Sequence, residues 1–134
     1  MRFKTFLISL AATLGITACA QQNYTDVELA DFIKLIERDD VQIVDVRTPE
    51  EFAQSHIPGA INIDYKNSKF KEKAQRRLDP TRPVAIYCRT GRRSALASAQ
   101  LMEIANFQIY NLKGGIVAWQ NANQDLDSGP CEAQ

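Results

Sequence analysis

The chain has 134 residues, 45% of them apolar and 24% charged, the profile of one ordinary globular domain with a buried core. Its 16 basic and 16 acidic side chains cancel, and with the first eighteen residues (Arg2 and Lys4, no acid) set aside, 14 bases face 16 acids, which argues against nucleic acid as a bulk electrostatic partner. Cys19, Cys88 and Cys131 are far apart and His56 is the only histidine, so neither a metal site nor a cofactor is expected, and no G-x-S-x-G elbow is present.

Arg2 and Lys4 precede an apolar stretch from Phe6 to Ile16, the pattern of a secretory leader. Its length of about a dozen residues falls short of the about 20 that a membrane span needs. It ends in Ile16-Thr17-Ala18-Cys19, which resembles the lipobox of bacterial lipoproteins, in which the cysteine is lipidated and becomes the first mature residue. An ordinary signal peptide cut near Ala18 or Ala20 is the other reading. The expected organisation is a lipoprotein-type signal peptide over 1–18, a lipid-anchored tether over 19–24, one domain over 25–124 and a loose tail over 125–134. Gln21, in place of an aspartate, resembles the outer-membrane-sorted class of a Gram-negative envelope. The tether from Ala20 to Tyr24 spans at most about 17 Å, so an anchor on Cys19 would hold the domain against the periplasmic face of a membrane. Cys19→Ser is expected to move the protein from the membrane pellet to the soluble envelope fraction; a variant that still sediments would refute the anchor.

In the mature chain, Thr25 with Glu28 reads as a capping box and Tyr24 with Leu29 as a hydrophobic staple, so the first helix is expected to open at Thr25. Leu29, Phe32, Ile33 and Ile36 form one apolar stripe along it. Val41 to Val46 reads as a strand. Thr48 at the N-cap, Pro49 at N1 and Glu51 at N3 open a short second helix, which His56-Ile57-Pro58-Gly59 stops. Ala60 to Ile63 reads as a brief strand and Asn67 to Leu78 as a basic helix burying Phe70, Ala74 and Leu78, its cations a solvated face. Val84 to Tyr87 is a strand, Ser94 onward a helix, Phe107 to Leu112 a strand, and Ile116 to Ala122 a helix with Trp119. The pair Gly114-Gly115 suits a backbone that must approach something closely. Strands alternating with helices predict an α/β fold: a central parallel sheet flanked by helices on both faces, with ligands at the strands' carboxyl ends.

The most informative stretch is Tyr87-Cys88-Arg89-Thr90-Gly91-Arg92-Arg93-Ser94. It places a thiol where a buried strand gives way to a tight loop and a helix N-terminus. Backbone N–H groups and the positive helix end would face the sulfur, and three arginines add charge. Such surroundings favour an anion and lower a thiol's pKa from about 8.5 to roughly 3.5–7.5. A cysteine that merely filled the core would not need this setting.

Four features together resemble the rhodanese family over about Thr25 to Ala122. They are Asp45-Val46-Arg47 with Glu51-Phe52, His56-Ile57-Pro58-Gly59-Ala60, Cys88-x-x-Gly91-x-Arg93-Ser94, and Gly114-Gly115 with Trp119. The resemblance implies a single-domain rhodanese-like sulfurtransferase of the thiosulfate type. Cys88 would take sulfane sulfur from a donor such as thiosulfate as a persulfide and pass it to a thiol or cyanide acceptor. Arg89, Thr90, Gly91, Arg92, Arg93 and Ser94 would bind the donor, and Asp45 and Arg47 would support the site. His56-Ile57-Pro58-Gly59 reads as architectural.

Two rival readings follow the same residues. A cysteine phosphatase resembles C-x5-R, with arginine six places after the cysteine; here that place is Ser94, and the six-residue loop Cys88–Arg93 makes a smaller cup. An arsenate-reductase-like role shares that anion logic. A non-enzymatic binding or sulfur-carrier module on the same fold is the other alternative. Cys131 is either a free tail thiol or, in an oxidising compartment, a disulfide partner for Cys88.

Overall fold

A computed structural model of the chain describes residues 23–131. The leader and Cys19 lie outside the described residues. Ten elements alternate: β1 (Thr25–Val27), α1 (Leu29–Ile36), β2 (Gln42–Asp45), α2 (Pro49–Gln54), β3 (Ile61–Asn62), α3 (Phe70–Arg77), β4 (Val84–Tyr87), α4 (Arg92–Met102), β5 (Ile109–Leu112) and α5 (Gly115–Asn121). All five strands run parallel in the order β1-β5-β4-β2-β3.

The two-residue period of β4 divides the core. Val84, Ile86 and Cys88 pack with Phe70 and Ala74 of α3 and Ala97 and Leu101 of α4. Ala85 and Tyr87 pack on the other face with Phe32 of α1 and Ile116 and Trp119 of α5. A strand covered on both faces reads as a continuous apolar run, as Val84 to Tyr87 does. Its carboxyl end therefore sits in the middle of the molecule, and Cys88 with it.

Three expectations shift. Thr25 does not cap a helix: Thr25–Val27 pairs with Tyr110–Leu112 at the sheet edge, and α1 starts behind Glu28 without a side-chain cap. A missing cap costs about 1 kcal/mol, whereas full burial of Phe32 contributes about 1.5–3 kcal/mol. Packing therefore sets where α1 lies. Asn67 makes a turn rather than a helix start, its Oδ1 accepting from Lys69 N at 2.9 Å, and α3 begins at Phe70. Residues 125–131, expected to be loose, run along the domain: Asp127 exchanges backbone hydrogen bonds with His56 (2.8 and 2.9 Å), Gly129 N donates to Ala53 O (2.8 Å), and Trp119 Nε1 donates to Asp125 O (2.8 Å). No helix among the described residues is long and apolar enough to cross a membrane.

Candidate active site

Cys88 follows β4 directly and is 1% exposed. The chain turns at Gly91, whose φ of +106° only glycine adopts without strain, and Arg92 opens α4, two residues earlier than the apolar pattern predicts. That turn brings Gly91 N–H to 3.1 Å from Cys88 Sγ and Ser94 Oγ to 3.4 Å. Burial pushes the thiol up, but the Ser94 hydroxyl and the amides of Ser94, Gly91 and Thr90 outweigh it and hold the Cys88 thiol below its ordinary value.

The loop's shape is braced from α5. Ile116 N donates to Cys88 O at 2.9 Å and Val117 N to Arg89 O at 3.2 Å. In a trans peptide the carbonyl and the next N–H point opposite ways. Drawing the Arg89 carbonyl toward α5 thus turns Thr90 N–H the other way, and Thr90 N–H is among the groups that favour the thiolate. The glycine pair makes this approach possible: a Cβ on Gly115 would lie 2.4 Å from Arg89 O and 2.5 Å from Cys88 O.

The three arginines do different things. Arg89 and Arg92 are exposed, at the rim. Arg93 is half-buried and forked onto Glu51, with Nη1 2.8 Å from Oε1 and Nη2 2.9 Å from Oε2. That pair raises Arg93 against the effect of burial, with smaller contributions from Cys88 and Asp45, so a fixed positive charge stands near the sulfur. Glu51 also closes the capping box of α2 as the sequence predicts, its amide donating to Thr48 Oγ1 at 3.3 Å. Arg93 above all, with Thr48 assisting and burial opposing, lowers the Glu51 carboxyl from 4.5 to about 2.

Because the folded value is the lower one, the Glu51 contribution to stability is complete above about pH 4.5 and is lost as pH falls through about 2. Glu51→Gln is expected to cost about 1–2 kcal/mol at pH 7, a shift discounted for the 21% and 31% side-chain exposure of the pair. The difference from the parent should shrink between pH 4.5 and pH 2. Urea unfolding of both proteins at pH 7 and pH 2.5 measures it, and a gap that does not close with acid would refute the coupling.

Asp45 and Arg47 stand at the end of β2, buried at 0% and 5% exposure. Arg47 Nε and Nη2 donate to the Asp45 carboxylate at 3.0 and 2.7 Å, and Nη2 reaches Ser55 O at 2.6 Å. Neither residue has a hydrogen bond to the sulfur; they tie the β2–α2 turn to the end of α2. The His56 ring stacks on Phe52 at 3.7 Å and its Nδ1 donates to Phe52 O at 2.8 Å, a packing role as expected. Sequence reasoning missed Asn111. It is buried in β5, with Ser94 Oγ donating to its Oδ1 at 2.5 Å and its Nδ2 donating to Asp26 Oδ1 at 3.0 Å. A polar residue within the apolar run Ile109-Tyr110-Asn111-Leu112 was the available signal.

A cleft of about 270 Å³ lies beside the loop, lined by Arg47, Glu51, Arg89, Ile116, Val117 and Gln120 among others. The larger cavity of about 430 Å³ is lined by Asn62, Lys73, Arg76, Arg77 and Cys131 among others and does not include Cys88. Volume is here a poor guide to chemistry. Cys88 and Cys131 are both free thiols, and Cys131 rests against Arg77 and the Asn62 carbonyl.

The family model for the rhodanese-like domain matches residues 28–122. The chain is 40% identical over 86 residues to a sulfurtransferase of Allochromatium vinosum, covering 64% of this chain and 78% of that one. It is 32% identical over 102 residues to the thiosulfate sulfurtransferase GlpE of Shewanella oneidensis, covering 75% and 97%. Among solved structures, a rhodanese-related protein from Thermoplasma volcanium superposes with a TM-score of 0.68 at 29% identity, over 78% of this chain and 98% of that one.

Proposed function

The chain belongs to the rhodanese-like family, and on that premise we propose that it is a sulfurtransferase of the thiosulfate type that carries sulfane sulfur as a persulfide on Cys88. The observation that carries this reading is the buried Cys88 sulfur within a cup of donors, with Gly91 N–H at 3.1 Å and Ser94 Oγ at 3.4 Å. The thiolate attacks the outer sulfur of thiosulfate, the S–S bond breaks, and sulfite leaves with the electron pair. A thiol or cyanide acceptor then attacks the persulfide's outer sulfur, and the Cys88 thiolate is regenerated. No general base is needed once the thiolate has formed, and the loop amides and the Ser94 hydroxyl lower the thiol toward that state. Arg89 and Arg92 at the rim suit a dianionic donor, while Arg93, pinned by Glu51, supplies a fixed field.

Incubation with thiosulfate should add one sulfur, about 32 Da, to the intact mass, and cyanide should discharge it as thiocyanate. A chain that emerges unmodified refutes the assignment, and faster turnover of an aryl phosphate would favour the phosphatase reading instead. The leader motif supports the further proposal that the domain works on the periplasmic side of the cell envelope, tethered through lipid on Cys19.

A further inference from the structure

The Ser94 hydroxyl carries one proton and has three acceptors within reach: Asn111 Oδ1 at 2.5 Å, Gly91 O at 3.1 Å and Cys88 Sγ at 3.4 Å. One proton makes one strong hydrogen bond at a time. Distance gives it to Asn111. At 3.4 Å the neutral sulfur keeps only a weak share of that donor, beside the loop amides.

Asn111 accepts that proton because its amide is held from the far end. Its Nδ2 donates to Asp26 Oδ1 at 3.0 Å and to Gly91 O at 3.3 Å. Both are acceptors, so Nδ2 must face them and Oδ1 must face Ser94. Reversing the amide would set Oδ1 against a carboxylate and a carbonyl with no proton between them. It would also offer Nδ2 to the Ser94 oxygen and free the hydroxyl proton for the sulfur. Gly91 O keeps its bond from Ala95 N (3.1 Å) in either arrangement, so Asp26 is the partner that decides.

We infer that Asn111 and Asp26 are positioning residues for the Cys88 thiol: the Asp26 carboxylate orients the Asn111 amide so that it competes with sulfur for the Ser94 proton, and turning that amide gives the sulfur the whole of it. The network joins an exposed carboxylate on the edge strand β1 to the buried thiol through a partner 85 residues away in sequence. When the thiol ionises, its proton leaves to solvent and the hydroxyl can swing to the new anion. The charged groups facing the sulfur are Arg93 of α4, with Glu51 of α2 and Asp45 of β2 behind it. Those facing Asp26 are Tyr24 and Lys113, the latter paired with Glu28. This inference rests on Cys88 as the sulfur-bearing group, but its test reads ionisation and needs no sulfur transfer.

Asp26→Asn and Asn111→Ala are to be made in the full chain, each with and without Ser94→Ala. Thiol ionisation is read from the pH dependence of iodoacetamide alkylation, counted by mass on the Cys88 peptide. A side-chain amide at position 26 can donate as well as accept, so Asp26→Asn is expected to lower the apparent thiol pKa by about one unit, the scale of one hydrogen bond to a charged group. In the Ser94→Ala background the same change should move it by less than about 0.3 unit, the residue of removing a distant charge. Asn111→Ala should shift it in the same direction, again only when Ser94 is present. An unmoved pKa in Asp26→Asn, or an equal shift with and without Ser94, overturns the inference. Should Asn111→Ala melt too early to assay, the surface substitution at Asp26 decides alone.

Discussion

Cys88→Ser is expected to fold like the parent and to take up no sulfur from thiosulfate. The substitution exchanges one sulfur for one oxygen at a site that already offers hydrogen bonds from Gly91 N–H and Ser94 Oγ, so a polar hydroxyl there has partners. Its stability cost should stay within about 1–2 kcal/mol. Chemically the exchange is severe. A serine hydroxyl is nucleophilic only when a neighbouring base removes its proton, and the chain's one histidine is committed elsewhere, stacked on Phe52 and bonded to the Phe52 carbonyl. The cup that stabilises a thiolate lacks the acid–base partner an alkoxide needs. Sulfur transfer to cyanide should fall by at least about a thousandfold, with the melting curve by circular dichroism nearly unchanged. Retained sulfur loading in the variant would move the carrier role to another thiol, Cys131 being the described candidate.

How far these residues could be read from sequence follows from how local their interactions are. The thiol cup is contiguous, Cys88 to Ser94, and the strand, loop and helix that shape it are adjacent in the chain, so its chemistry was legible. The α2 capping box spans four residues and was legible for the same reason. Arg93, read from sequence as part of the loop, lies in the first turn of α4, and its partner Glu51 is 42 positions earlier. Only the pairing of β2 with β4 brings the two together. Asn111 and Asp26 are remoter still, joined through the parallel pairing of β1 with β5. The edge strand β1 was read as a helix start because Thr25 and Glu28 satisfy a capping pattern; three residues are too few to show a strand period, and the sheet edge that claims them is built from the far end of the chain. The β-α-β alternation, by contrast, repeats along the whole domain and predicted the parallel sheet with helices on both faces.

Gly115→Ala should be the most damaging single substitution at a position that never touches substrate. The backbone there has φ +56°, which an L side chain rarely adopts, and the added methyl would meet Arg89 O at 2.4 Å and Cys88 O at 2.5 Å. Both obstacles are backbone, so neither can rotate away, and both carbonyls are held by Ile116 N and Val117 N. Relief requires α5 to move off the loop, which removes the bracing that turns Thr90 N–H to the sulfur. The expected cost is more than about 3 kcal/mol, combining strain with lost hydrogen bonds, together with a higher thiol pKa and slower sulfur loading. Gly114→Ala is the internal comparison. Its φ is +77°, but its methyl would meet only the Ala118 side chain, at 2.9 Å, within α5 itself. It should cost about 1–2 kcal/mol and leave thiol ionisation unmoved. Urea unfolding and Cys88 alkylation on the two variants separate strain within a helix from collapse of the cup. Equal stability losses with unchanged alkylation profiles would mean that α5 does not brace the loop.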